Sequence, residues 1–120
     1  MKLIYVAGPF RSRNPNGSSN SWGVQKNVMN AMAVALEVWK TGNPAICPHA
    51  NTMFFQDADG VKDGVWLDGD LVMLERCDAI IFAPGWENSS GSRTEHMFAT
   101  EHNIPIFFDT ESLKTWLQEA

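Results

Sequence analysis

The segment Ser92-Arg93-Thr94-Glu95 places a carboxylate three residues after a serine, where a polar loop gives way to a helical pattern. Ser-x-x-Glu is the pattern of a capping box, in which both side chains satisfy free amide groups at a helix start. Helical spacing also sets Glu95 on one face with Phe98 and Ala99, which carries its carboxylate to the edge of a core, where a catalytic group would sit. Both roles stay open at this point. Asp70 shows a similar displacement: it lies three residues after Leu67 and four before Leu74, on an apolar stripe, whereas Asp68 faces the other side. Carboxylates are rarely buried unless paired or functional. Two of them brought from different helices to one crevice can do chemistry at an anomeric carbon, one attacking or stabilising it while the other handles a proton.

Other candidates cluster around chain turns. Gly8 and Pro9 permit a sharp turn directly off an apolar run, with Phe10, Arg11, Ser12 and Arg13 following, so an anion such as phosphate could be held there. The alternative is an ordinary solvated loop, since neither GxGxxG nor a Walker pattern is present. Trp22, Trp66 and Trp86 fall near loop or helix starts and could stack on a base or simply pack as a lid. His49 and Asn51 follow another short apolar run. Cys47 and His49 offer only two metal ligands, and His96 and His102 belong to a different element, so neither a metal nor a cofactor is expected. No Gly-x-Ser-x-Gly occurs, which argues against acyl transfer.

The elements that must position these residues alternate. Lys2 to Ala7 reads as a strand buried on both faces, ended by Gly8-Pro9. Phe10 to Ser21 is a long polar loop, of the kind that often carries function. Trp22 to Lys40 is the longest helix, with Val28, Met32, Leu36 and Trp39 at helical spacing, and Thr41-Gly42-Asn43-Pro44 stops it. Ala45 to Cys47 is a second strand, and Ala50 to Asp63 a loop with a helical turn at Thr52 to Phe55. Val65 to Arg76 is a helix carrying Leu67, Leu71 and Leu74, followed by a strand over Ala79 to Ala83. Glu87 to Gly91 is a polar loop, Ser92 to His102 a helix, Ile104 to Phe108 a strand, and Asp109 or Thr110 caps a last helix bearing Leu113, Trp116 and Leu117. Such alternation argues for an α/β sandwich with a parallel sheet and right-handed crossovers. In such sheets ligands bind beyond the carboxyl ends of the strands, which selects the loops after Ala7, Cys47 and Ala83.

Composition narrows the partners. A length of 120 residues suits one domain spanning 1–120, and 14 acidic against 9 basic residues give a formal charge of -5. A surface of that sign disfavours nucleic acid polymers, though a local cradle can still hold a small anion. The apolar start is too short for a signal peptide or membrane span, and Cys47 and Cys77 read as small core residues of a reducing compartment, so a cytoplasmic protein without membrane contact is expected.

Ile4-Tyr5-Val6-Ala7-Gly8-Pro9-Phe10, Trp66-Leu67-Asp68-Gly69-Asp70-Leu71, and Cys77-Asp78-Ala79-Ile80-Ile81-Phe82 followed by Gly91-Ser92-Arg93-Thr94-Glu95 resemble the nucleoside 2-deoxyribosyltransferase-like superfamily in order and spacing over nearly the whole chain. This superfamily includes the transferases and the 2'-deoxynucleoside 5'-monophosphate N-glycosidases. The resemblance implies a Rossmann-like or flavodoxin-like three-layer sandwich with a mostly parallel sheet of four to five strands. It also implies double displacement, with Glu95 attacking the anomeric carbon, Tyr5 orienting its carboxylate and Asp70 assisting protonation of the departing base. By the same likeness, Gly8 lets the sugar approach the backbone and Ser92 touches a 5'-hydroxyl or 5'-phosphate. Pro9, Phe10, Arg11, Arg13, His49, Trp66, Trp86 and Gly91 complete the expected substrate contacts, and a homodimer or larger assembly is implied.

The chain departs from the superfamily in two places. The loop Trp86-Glu87-Asn88-Ser89-Ser90 lacks a further Asp found in the transferases, so base recognition does not carry over. The Phe10 to Ser21 loop is long and offers Arg11 and Arg13 as phosphate ligands. The expected activity is therefore cleavage or base exchange at the N-glycosidic bond of a (2'-deoxy)nucleoside or its 5'-monophosphate. The alternatives are a nucleotide-binding sensor without turnover and, more weakly, hydrolysis of the nicotinamide bond of NAD.

Overall fold

The computed structural model describes residues 1–55, 61 and 63–119. Its four strands, β1 (Ile4–Ala7), β2 (Ala45–Ile46), β3 (Ala79–Phe82) and β4 (Ile106–Phe107), form one sheet in the order β2-β1-β3-β4. All neighbouring pairs are parallel, with Tyr5 opposite Ile46 on one side and Ile80 on the other. The five α-helices among the described residues are α1 (Ser21–Trp39), α2 (Pro48–Thr52), α3 (Asp63–Glu75), α4 (Ser90–Glu101) and α5 (Thr110–Glu119). The expected α/β architecture is therefore present, with four strands and a wholly parallel sheet.

Strand pleating splits the core in two. Ile4, Val6, Ala79 and Ile81 face α1 and α5, where Ala31, Ala35, Val38 and Leu113 close over them. Tyr5, Ala7, Ile80 and Phe82 face α3 and α4, against Leu74, Cys77 and Ala99. Strand order reverses between β1 and β3, so their carboxyl ends open the crevice in which such sheets bind ligands. At the opposite end the pair is closed by Asp78, whose Oδ2 accepts from the Leu3 amide at 2.7 Å while its own amide donates to the Leu3 carbonyl at 2.8 Å.

Local sequence explains the boundaries. Asn20 caps α1 by accepting from the Gly23 amide at 3.1 Å, and Gly42 takes a left-handed conformation (φ 88°) just past its end. Asp109 caps α5, its Oδ1 accepting from the Ser112 amide at 2.7 Å. Pro48 starts α2 immediately after β2, earlier than the helical turn expected at Thr52 to Phe55, which is the 3-10 turn Met53–Phe55 continuing it. The remainder of the loop expected over Ala50 to Asp63 falls partly outside the described residues, at 56–60 and 62.

The apolar residues of α1 divide between two stripes. Of Val28, Met32, Leu36 and Trp39, which recur at helical spacing, only Val28 belongs to the buried face, which is Val24, Val28, Ala31, Ala35 and Val38. Met32, Leu36 and Trp39 stand in solvent. The small side chains of Ala31 and Ala35 let the helix lie close on the sheet, and the larger residues occupy a second stripe beside them.

Candidate active site

A cleft of about 780 Å³ opens at the carboxyl ends of β1, β2 and β3. It is lined by the loops after β1 and β3, by α2, and by α3 and α4, with Asn27 of α1 at its edge. Of the residues expected to contact substrate, Gly8, Pro9, Phe10, Arg11, Arg13, His49, Trp66, Gly91 and Ser92 all line it, together with Asp70 and Glu95.

Glu95 sits in the middle of α4 and is 2% exposed. Its Oε2 accepts a short hydrogen bond from the Tyr5 hydroxyl, which projects from the sheet beneath. The capping-box reading fails, because the cap of α4 is Ser89, whose Oγ accepts from the Ser92 amide at 3.2 Å. The helix thus begins two residues earlier than the sequence suggested, Ser92 lies within its first turn, and Glu95 is spared any capping duty.

Burial pushes the Glu95 carboxyl up to about 8; the Tyr5 hydrogen bond opposes this and the negative charge of Asp70 adds to it. Asp70, half-buried on α3, is raised to about 6, again by burial. The Tyr5 hydroxyl is driven well above its usual range by burial first and by the Glu95 charge second, so it stays a proton donor. The Asp70 charge thus makes Glu95 hold its proton somewhat more tightly than burial alone would.

The rim is tied down by hydrogen bonds. His49 Nε2 meets the Gly8 carbonyl at 2.6 Å, and burial lowers the affinity of its ring for a second proton. A neutral ring with Nε2–H as donor satisfies that contact and fixes the end of β1. Gly8 has a packing reason to be glycine: a Cβ there would stand 2.9 Å from the Ala83 Cβ of the neighbouring strand. The Asn27 side chain donates to the carbonyls of Phe10 (3.2 Å) and Arg11 (3.4 Å), fastening the loop to α1. Arg13 pairs across the same loop with Ser19 in an isolated bridge. Sequence reading missed Asn27, although an asparagine inside a helix, next to a polar loop, is a poor helix former in want of a reason.

Two tryptophans lie elsewhere. Trp86 is not among the cleft residues; its ring packs on Phe82 (4.8 Å), His96 (5.0 Å) and Phe108 (5.4 Å), so the expected substrate contact is corrected to an aromatic cluster under β3 and β4. Trp22 lies at the exposed start of α1. Trp66, by contrast, presents a cleft surface backed by Phe55 at 6.2 Å. The Ser92 hydroxyl is buried, lines the cleft and finds no hydrogen-bond partner among the described residues. Among those residues no group of three His, Cys, Asp or Glu side chains could hold a metal ion, and no helix is long and apolar enough to cross a membrane.

The backbone is similar to that of a 2-deoxyribosyltransferase from the psychrotolerant bacterium Bacillus psychrosaccharolyticus, with a TM-score of 0.57 over 87% of this chain and 69% of that one, at 16% sequence identity. The fold is thus that of a deoxyribosyltransferase. None of the curated proteins matches the sequence significantly. A family described as a domain of unknown function, DUF7768, matches residues 2–109, and the chain belongs to it.

Proposed function

We propose that this member of the DUF7768 family cleaves or exchanges the N-glycosidic bond of a (2'-deoxy)nucleoside or its 5'-monophosphate through a covalent glycosyl-Glu95 intermediate. The observation that carries the reading is the buried Tyr5–Glu95 pair opening onto the same cleft as Asp70. In the first step a Glu95 carboxylate oxygen bonds to the anomeric carbon, the C–N bond breaks with its electron pair leaving on the base, and Asp70 supplies the proton the base takes up. In the second, water or another base attacks the same carbon, gives its proton back to the Asp70 carboxylate, and the C–O bond to Glu95 breaks to release that carboxylate. Splitting one displacement in two means that neither step needs a free oxocarbenium ion.

Tyr5 stabilises the ionised form of Glu95 and fixes its orientation, which is what attack at a single carbon requires. The reactive state has Glu95 ionised and Asp70 protonated, the reverse of the order that burial sets, so only a minor fraction is reactive between about pH 6 and 8 and activity should follow a bell-shaped pH curve. Trp66 would give a face to a base, and Arg11, Arg13 and Ser92, which line the same cleft, would take a 5'-phosphate or hydroxyl. The supporting fold likeness is to a protein whose name states transfer of 2-deoxyribosyl groups. We further propose a single domain over residues 1–120 working in the cytoplasm.

The test is chromatography of the purified protein incubated with deoxynucleosides, ribonucleosides and their 5'-monophosphates, each with and without a second free base. Free base released from one class supports the reading, and a new nucleoside formed only with added base makes the protein a transferase. Mass spectrometry of acid-quenched protein should find a glycosyl group on the peptide containing Glu95. One observation favours a binding-only alternative: burial keeps Glu95 protonated near neutral pH, the form that cannot attack. Nucleotide binding with no base released at any pH between 5 and 9 would establish that sensor and sink the enzyme.

A further inference from the structure

Two carboxyl groups line one cleft, and among the described residues no lysine or arginine is paired with either. What acts on Glu95 is burial, the Tyr5 hydroxyl of β1 and the Asp70 charge of α3, and what acts on Asp70 is burial; no guanidinium sets the protonation of the two. His49 lines the cleft from α2 and is kept neutral by burial. Arg13, in the loop after β1, turns back on its own loop, its Nη1 donating to the Gly17 carbonyl at 3.4 Å. An ionised carboxyl taken out of water is costly without an opposite charge, so the ligand these two groups stabilise best is one that brings its own cation. That the cleft receives a ligand is marked independently by the Ser92 hydroxyl, which is 1% exposed, lines the cleft and has no partner among the described residues.

We propose that, within the glycosidic reading above on which this rests, the cleft selects N-glycosides of a cationic heteroaromatic base, such as a pyridinium or an N-alkylated purine, over those of a neutral base. The walls suit such a ring. Trp66, backed by Phe55 at 6.2 Å, lines the cleft from α3, and Phe10 lines it from the loop after β1. An aromatic face attracts a cation through its quadrupole, tryptophan most strongly. The formal charge of -5 on the chain raises the local concentration of cations in the same sense.

Bond-making favours the same class. A neutral base leaves only with a proton from Asp70, so its departure needs Glu95 ionised and Asp70 protonated together, against the order that burial sets. A cationic base needs no proton. As a Glu95 oxygen bonds to the anomeric carbon, the electron pair of the C–N bond returns to the ring nitrogen and cancels the positive charge, and the base leaves neutral. Asp70 can then begin the cycle ionised, attract the ring, and in the second step take the proton of the attacking water before passing it to solvent. The cationic N-glycoside and water become free sugar, neutral base and one proton.

The test pairs substrates that differ by one methyl group. The full chain, as wild type and as Asp70→Asn, is mixed at about pH 7 with 2'-deoxyguanosine, with 7-methyl-2'-deoxyguanosine and with nicotinamide riboside, and base release in the first turnover is followed by rapid quench and chromatography. Comparing the variant with wild type on each substrate cancels the greater intrinsic lability of the cationic bond. Asp70→Asn should slow release of guanine by about a hundredfold or more, and release of 7-methylguanine or nicotinamide by less than about threefold. Whichever of the two cationic nucleosides wild type cleaves tells a purine-directed site from a pyridinium-directed one. Equal losses on neutral and cationic substrates overturn the proposal and leave the glycosidic reading standing. If no nucleoside loses its base, the glycosidic reading fails, and selection by charge is read from binding. Calorimetry should give a Kd at least about tenfold lower for N1-methylnicotinamide than for nicotinamide, and the double variant Asp70→Asn/Glu95→Gln, shown folded by circular dichroism, should bind the two alike. Equal affinities in wild type overturn the proposal, and so does a preference that survives in the double variant.

Discussion

The two faces of the sheet are built from alternate residues of the same strands, yet they hold different chemistry. Towards α1 and α5 the core is wholly apolar, with Ile4, Val6, Ile81 and Leu113 buried together. Towards α3 and α4 the same strands present Tyr5 and Ala7, and the space above Tyr5 is occupied by the carboxyl of Glu95. Pleating alone separates these environments: a one-residue shift of β1 would bring Ile4 under Glu95 and drive Tyr5 into the apolar layer. One face holds the fold together, and the other accepts the cost of buried carboxyl groups in order to have reactive ones.

Substitutions can test that division. The largest effect is expected from Glu95→Gln, which should lower base release by about a thousandfold or more while leaving the folded structure intact; activity within tenfold of wild type would remove Glu95 from the chemistry. On the other face, Leu113→Ala should destabilise by about 2–5 kcal/mol in denaturant titration and leave kcat unchanged well below the midpoint. Tyr5→Phe should cost roughly a hundredfold in turnover and move the pH limb belonging to Glu95 upward, since the hydrogen bond that favours the ionised carboxyl is gone. An unshifted limb would mean that Tyr5 only packs.

A finer test is stability against pH. Glu95 binds its proton more tightly folded than unfolded, so between its ordinary value near 4.5 and the folded value of about 8 the native state holds the extra proton. Stability should therefore fall as pH rises through that window, by up to about 1.4 kcal/mol per pH unit for this one group, and Glu95→Gln should flatten the slope. Asp70, raised from 3.8 to about 6, contributes a slope of the same sign in the lower half of the window. The smallest effect belongs to Ser92→Ala, which removes a buried hydroxyl lacking a partner among the described residues; melting should show the variant as stable as wild type or slightly more so.

The alternating pattern and the apolar runs of β1 and β3 made the architecture legible, because a strand buried on both faces and a helix with one stripe differ in period. Glu95 and Asp70 were legible for a related reason: each breaks an apolar stripe at a position a solvated carboxylate would avoid. What misled was a stripe that had two readings. In α1, spacing alone could not say which apolar residues face the sheet, since close packing there favoured Ala31 and Ala35 while Met32 and Leu36 are exposed. Trp86 shows the same difficulty in a loop, where its neighbours Phe82, His96 and Phe108 come from three separate elements. His49 pointed to the site through its place after β2, but its bond to the Gly8 carbonyl spans 41 residues and has no trace in local sequence.

The Ser92 hydroxyl bears on which molecules are preferred. A ligand that offers an oxygen there pairs a buried donor that has no partner among the described residues and recovers about 1–3 kcal/mol, whereas one that lays only carbon against it leaves the donor as it was. The cleft would thus favour oxygen-bearing ligands over apolar ones of the same shape by roughly ten- to a hundredfold before any charge is considered.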